Sequence, residues 1–463
     1  MQRNTSVNSA ALAAALSATL PTKALNPFAS ARAASDEVLR SIWTDATREN
    51  HGRKDQVSAF VRGATMELPS GAVDVIAGAE ASRDQIRSTV PGSYDIHGKR
   101  SSHAMFGEAR VPLWRTPEGG GPSREAAALT LAARRDHYSD FGSANTYQAG
   151  LEMRPSRTTL LRGSVATSFK PPTLVQTHIN DESYPIEIFG LTDPSRGNAP
   201  ITEGVLVRAA NPALQPERGR AYSLGAVWEP ETGAGPGNAT RLAVTAWRVK
   251  IHGLISLLSP QVVLDNEALF PGLISRDPGD GGLPGPVSQV MYSEVNFGGV
   301  DTAGADMEFS QAWRSGGTRW TLSGGATRTM RYDVVLAPGA MTEDRLGRRA
   351  LDYWAPRWKG RVFAGLDRGG WNVGLTGRVL GSYRDVAPGE RGLGNFWVFD
   401  AAASVDLQRM GLRVPLVKSS QLSLAIANLL DRQPQYVGSW PYYDVTQADW
   451  RGRYANVRLS MSW

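Results

Sequence analysis

Apolar and polar residues alternate over long segments of this chain, and no long apolar run occurs anywhere. Trp397, Phe399, Ala401, Ala403, Val405 and Leu407 alternate with Val398, Asp400, Ala402, Ser404, Asp406 and Gln408. Trp371, Val373 and Leu375 alternate with Asn372, Gly374 and Thr376. Leu422, Leu424 and Ile426 alternate with Ser423, Ala425 and Ala427. Tyr147, Ala149, Leu151 and Met153 alternate with Gln148, Gly150, Glu152 and Arg154. Side chains two apart share one face of a strand, so each segment reads as a strand with one apolar and one wet face. The segments run roughly nine to eleven residues, enough to cross a bilayer at a steep tilt. Strands of soluble sandwiches are usually nearer five or six residues.

A transmembrane helix is excluded, because no stretch of eighteen apolar residues exists. A barrel needs none, since its lipid face is built from every second residue. The 463 residues suffice for two or three ordinary domains or for one large all-β unit. Fifty basic against 44 acidic residues give a formal charge of +6. No long Lys/Arg run accompanies it, which argues against a nucleic-acid partner. The absence of cysteine removes disulfides, thiolate metal sites and thiol catalysis.

No motif carries enzyme chemistry. The histidines at 51, 97, 103, 137, 178 and 252 lack zinc-binding spacing, and the nearest pair, His97 and His103, reads as flanking a turn. The Asp/Gly segment at 277–282 reads as a solvated turn. No nucleophile elbow is present. No catalytic residue, cofactor or metal site is therefore expected.

The connections alternate in length. Tight turns are expected near 317–318 and 369–370, and long Pro/Gly/Asp-rich loops at 176–219, 259–289, 332–353 and 432–451. Short turns at one end and long loops at the other are the pattern of outer-membrane barrels. Residues 1–55 read as an irregular segment. Within it the alanine-rich stretch after Met1 is too weakly apolar for a signal peptide and reads as a short surface helix or loop. Residues 56–463 read as the barrel, beginning with a hairpin through Pro69, Ser70 and Gly71.

The strand at 161–170 stops at Phe169-Lys170-Pro171-Pro172, because consecutive prolines cannot continue a ladder. A return strand begins near Arg220, after the Asn-Pro and Gln-Pro-Glu turns at 211–217. SFKPPTL (168–174) followed by NPALQPERGRAYSLG (211–225) resembles the barrel signature of TonB-dependent outer-membrane receptors. The resemblance extends to LPSGAVDVIAGAEASRD (68–84), NFGGVDTAGADMEF (296–309) and ANLLDRQPQYV (427–437). ALNPFAS (24–30) resembles a loop segment of oligosaccharide- and peptide-type members.

The resemblance implies an all-β fold: an antiparallel transmembrane β-barrel, here incomplete, with roughly fifteen of about 22 strands. Neither a plug domain nor an energy-coupling box is recognisable in the sequence. The implied function is uptake of a scarce ligand, an oligosaccharide or a peptide, at the outer membrane of a Gram-negative bacterium. A plugless passive pore and a soluble secreted all-β protein stand as alternatives. Implied partners are outer-membrane lipid and lipopolysaccharide, the barrel-assembly machinery and, in the full-length receptor, the TonB complex. Leu459, Met461 and Trp463 on one face of the last strand resemble the family's assembly signal, although Arg458 stands where that signal has glycine. The aromatic side chains of the long loops, Tyr184, Phe189, Tyr353, Trp354, Trp440, Tyr442 and Tyr443, are the candidate ligand contacts, because exposed rings stack on sugars and peptides; packing of the loops together and a place in the aromatic girdle stand as alternatives.

Overall fold

The structure is a computed structural model. It describes the chain apart from residues 1, 8, 21, 27–31, 91–93, 119–120, 180, 232–237, 280–281, 336–340, 351–352, 387–390, 413–415, 439–441 and 445–446.

One antiparallel meander dominates. Its strands are β1 (Gln2–Val7), β2 (Trp43–Leu68), β3 (Gly71–Val90), β4 (Tyr94–Glu118), β5 (Gly121–Tyr138), β6 (Gly142–Met153), β7 (Thr159–Lys170) and β8 (Glu217–Trp228). They continue as β9 (Ala239–Leu257), β10 (Glu294–Ser315), β11 (Thr318–Val335), β12 (Trp358–Arg368), β13 (Trp371–Leu380), β14 (Phe396–Asp406), β15 (Ser419–Ala427) and β16 (Tyr454–Ser462). Each pairs with the next. The sheet has 17 strands, and the one outside this series, Glu343–Asp344, touches only Asp333 and Val334 of β11. Among the described residues no ladder joins β16 to β1, so the wall is open, with an edge at each end. The expected incomplete antiparallel barrel is what the chain forms.

The outer face carries an apolar belt. Met153, Leu161, Ala226, Val244 and Met307 are successive register partners across five strands. Val457, Leu424, Ala403, Val373 and Leu366 continue it on the other side. The large members other than half-buried Leu366 are exposed, Val244 by 52% and Val457 by 69%. A contiguous apolar band of this extent is unstable against water and matches lipid. The opposite face is polar: Arg162, Gly225, Thr245, Asp306, Thr327 and Lys359 follow one another in register around the lumen.

Turns at one end are short. β10 and β11 meet through Gly316 and Gly317, and β12 and β13 through Gly369 and Gly370, all four at positive φ. Two consecutive positive φ values match a two-residue hairpin to strand twist, and glycine adopts them without a Cβ clash. The loops at 171–216, 258–293, 336–357, 381–395 and 428–453 lie at the other end, as the alternation of connection lengths requires.

The segment before residue 56 departs from the expected irregular reading. It holds β1, the helix α1 (Ser9–Ser17), the helix α2 (Asp36–Ile42) and the first half of β2. Ala15 packs against Ala34, Val38 and Ile42, and Ser35 caps α2 by accepting from the Val38 amide. Residues 49–55 show no apolar alternation, and their side chains are exposed or half-exposed. Backbone pairing with β1 and β3 holds residues 43–55 in the sheet, from Val7↔Trp43 to Arg83↔Asp55. For the same reason β2, β3 and β4 run 26, 20 and 25 residues, beyond the nine to eleven that alternation marks.

Candidate ligand mouth

Two folded modules stand at the long-loop end. The first is built from the loops at 171–216 and 258–293. Short strands Glu182–Pro185, Val205–Arg208, Val287–Tyr292 and Ile274–Arg276 form a four-stranded sheet. Its parallel pair, Val205–Arg208 with Val287–Tyr292, joins one loop to the other. Ile186, Leu206, Leu258, Val263 and Val290 fill a core beneath it. Arg276 is clamped by Asp193 at 2.7 and 3.0 Å and by Glu267 at 3.0 and 2.8 Å. These hydrogen bonds hold both carboxyls below their ordinary range and push the guanidinium above its own.

The second module draws on the loops at 336–357, 381–395 and 428–453. Trp354, Leu380, Tyr383, Leu393, Phe396 and Val437 form its core. Buried Arg349 donates to Asp385 at 3.1 Å and stands 3.8 Å from Asp444. Asp385 also accepts the Gly438 amide at 2.7 Å. One charge thereby ties three loops together. Burial foremost, and then neighbouring Asp444, push the Tyr383 phenol well up.

The expected aromatic contacts separate on these modules. Tyr184 and Phe189 meet edge to face at 6.1 Å on the first, and the Tyr184 hydroxyl donates to Glu182 at 2.8 Å. Burial pushes the Tyr184 phenol up. Trp354 is 9% exposed and packs on Tyr383 at 4.9 Å, so it serves the module core rather than the solvent face. Tyr353 packs against the Leu254, Val300 and Val334 cluster. Tyr442 stacks on Tyr436 at 6.0 Å, and Tyr443 bridges to Tyr436. Trp440 lies outside the described residues. Tyr436 escaped the sequence reading because it sits in a segment read only as a turn signature.

Below the second module the lumen wall lines a half-open cavity of about 630 Å³. Lys359, Arg361, Arg378 and Arg432 line it, with Asp306, Glu308 and Asp449. A second space of about 390 Å³ shares Arg361 and Glu308 and adds Phe363. Asp306, Glu308 and Arg432 lie in segments that carried the family resemblance, but none of the lining residues stood out in the sequence as a ligand contact. The signal was the parity of β12, whose Lys359, Arg361 and Phe363 alternate with belt residues Val362 and Ala364.

Leu459 faces outward beside Leu422, Met461 pairs with Ser420, and Trp463 lies just beyond β16 and is 82% exposed. His97 and His103 do not flank a turn. Both lie on β4, and the His103 ring meets His137 at 4.9 Å. Among the described residues no group of His, Asp or Glu is arranged to hold a metal ion. Part of the 277–282 turn and of the 24–30 segment lies outside the described residues.

No curated protein matches the chain. Solved structures with similar folds include a mutant ferric enterobactin receptor from Pseudomonas aeruginosa in complex with enterobactin. It is 14% identical at a TM-score of 0.55, over 90% of this chain and 54% of that one. The ferric-catecholate import receptor Fiu from E. coli is 14% identical at 0.53, over 90% and 55%. The Serratia marcescens hemophore receptor HasR, solved with its hemophore and heme, is 16% identical at 0.51, over 90% and 59%. This chain thus spans between half and three fifths of their lengths. Residues 27–429 match the TonB-dependent receptor-like β-barrel family, and the chain belongs to it.

Proposed function

We propose that this chain is the barrel wall of an outer-membrane receptor of a Gram-negative bacterium that takes up a scarce ligand, an oligosaccharide or a peptide. The exposed apolar belt backing a polar lumen carries the reading, since only a bilayer stabilises that arrangement. The two loop modules supply a binding mouth, with Tyr184, Phe189, Tyr436 and Tyr442 presenting rings to it. Lipid and lipopolysaccharide cover the belt. The barrel-assembly machinery reads Leu459, Met461 and Trp463. TonB supplies the energy in the full receptor. The open wall weighs against a passive pore, and the belt weighs against a soluble β-protein.

The test is expression in a Gram-negative host, followed by density fractionation and uptake of labelled oligosaccharides and peptides. The expected result is protein in the outer-membrane fraction and uptake that stops when the proton gradient is collapsed. Recovery as a soluble periplasmic protein overturns the reading, and uptake that survives gradient collapse replaces it with passive passage.

A further inference from the structure

The lumen face of β12 carries Lys359, Arg361 and Phe363 at alternate positions, opposite Thr327, Gly325 and Ser323 of β11. At the strand rise these three side chains span about 13 Å along the wall. Phe363 has an unusual seat. A Cβ on Gly365 would lie 2.7 Å from its ring, and a Cβ on Gly374 would lie 2.6 Å from it. Gly365 and Gly374 are register partners, so the ring lies over a glycine pair and keeps one face toward the lumen. The wall is built to hold a flat apolar platform among polar groups.

Three of the four cations above the platform are in no ion pair among the described residues, although Asp444 lies near enough to Lys359 to act on its charge. Arg378 is satisfied by Asp400 at 2.8 and 3.0 Å. Lys359, Arg361 and Arg432 make no ion pair or side-chain hydrogen bond among the described residues, although all three line the cavity. Across the groove Asp306 accepts from Thr327 at 2.7 Å, and Glu308 makes no ion pair or side-chain hydrogen bond among the described residues. The groove therefore offers a ring platform, carboxylate acceptors, and three cations that no ion pair among the described residues holds.

A platform flanked by donors and acceptors suits a hydroxyl-rich ring, and the three cations suit a carboxylate upon it. An extended peptide has less to gain. β12 is paired along both sides, so no free edge is available for strand addition. We propose that this groove is a binding site for a short acidic oligosaccharide, with sugar rings on Phe363 and carboxylates at Lys359, Arg361 and Arg432. This rests on the uptake reading above and narrows its ligand.

The test is titration calorimetry on the membrane-inserted chain with tetragalacturonate, maltotetraose and tetraglutamate as probes. Tetragalacturonate binds roughly tenfold tighter than either of the others. Replacing Lys359, Arg361 and Arg432 together by Gln removes its advantage over maltotetraose. Phe363→Ala weakens both sugars and leaves the weak tetraglutamate binding unchanged. These side chains face the lumen, and an unaltered strand signal in circular dichroism verifies that the variants fold. Equal binding of tetraglutamate, binding indifferent to the variants, or no binding overturns the proposal. Measured beside the uptake assay, binding without energised uptake sinks only the transport reading, and uptake without this binding sinks only the site.

Discussion

Arg276 reaches back 83 residues to Asp193, its Nη1 2.7 Å from one carboxylate oxygen and its Nη2 3.0 Å from the other. The fork-on-fork geometry fixes both groups in orientation as well as distance. Because Asp193 belongs to one loop of the first module and Arg276 to the other, the pair sets how the two loops meet. Arg276→Ala leaves nearly buried Asp193 without its counter-charge, and removing one partner of such a pair costs about 3 kcal/mol. Amide exchange should accelerate across 182–292 while the wall strands keep their protection.

The same contact has an acid limit. Arg276 holds the carboxyls of Asp193 and Glu267 below their ordinary values, chiefly by hydrogen bonding. A depressed carboxylate contributes its stabilisation fully above its unfolded pKa and loses it as pH falls through the folded one. Module protection should stay flat from about pH 8 to 5 and decline below about pH 4. In Arg276→Ala the decline should be shallower, which exchange measured across the pH series checks.

Gly374→Ala places a methyl where the Phe363 ring lies. Overpacking of this kind costs about 1–3 kcal/mol. In Phe363→Ala the space is free, so adding Gly374→Ala should cost almost nothing. A double-mutant cycle on denaturant unfolding in detergent measures the coupling, and a value near zero removes the ring from its seat.

Leu424 and Ser423 are adjacent on β15 and face opposite sides of the wall. Leu424→Lys puts an ammonium into the lipid belt at a cost of about 2–4 kcal/mol if the residue lies near the bilayer midplane. Ser423→Lys faces water and should cost far less. Unfolding from lipid vesicles compares the two, and equal costs would place the belt elsewhere.

The wall was legible wherever it crosses the belt, because there alternation is forced by lipid on one side and water on the other. Met153, Leu161, Val373 and Leu424 follow that pattern. It disappears at 49–55, where the side chains are exposed or half-exposed and only ladder pairing defines the strand. The proline stop at Pro171-Pro172 marked the end of β7 because a missing amide is a local property of the chain. The modules were not legible. Their parallel pairing and the Asp193–Arg276 and Arg349–Asp385 contacts join residues far apart in sequence with no local signature. For the same reason Trp354, an expected ligand contact, is a packing residue, and Phe363 escaped notice although its parity was visible.

The outer half of β2 has a further consequence. Residues 43–55 continue β2 toward the long-loop end. At ordinary strand rise and barrel tilt they lift the rim about 30 Å beyond the belt. The neighbouring outer ends of β3 and β4 rise with them. On this flank the barrel wall stands as a chimney rather than lying flush with the belt. A solute arriving from outside would meet the inner surface of a tall polar palisade before it came level with any headgroup.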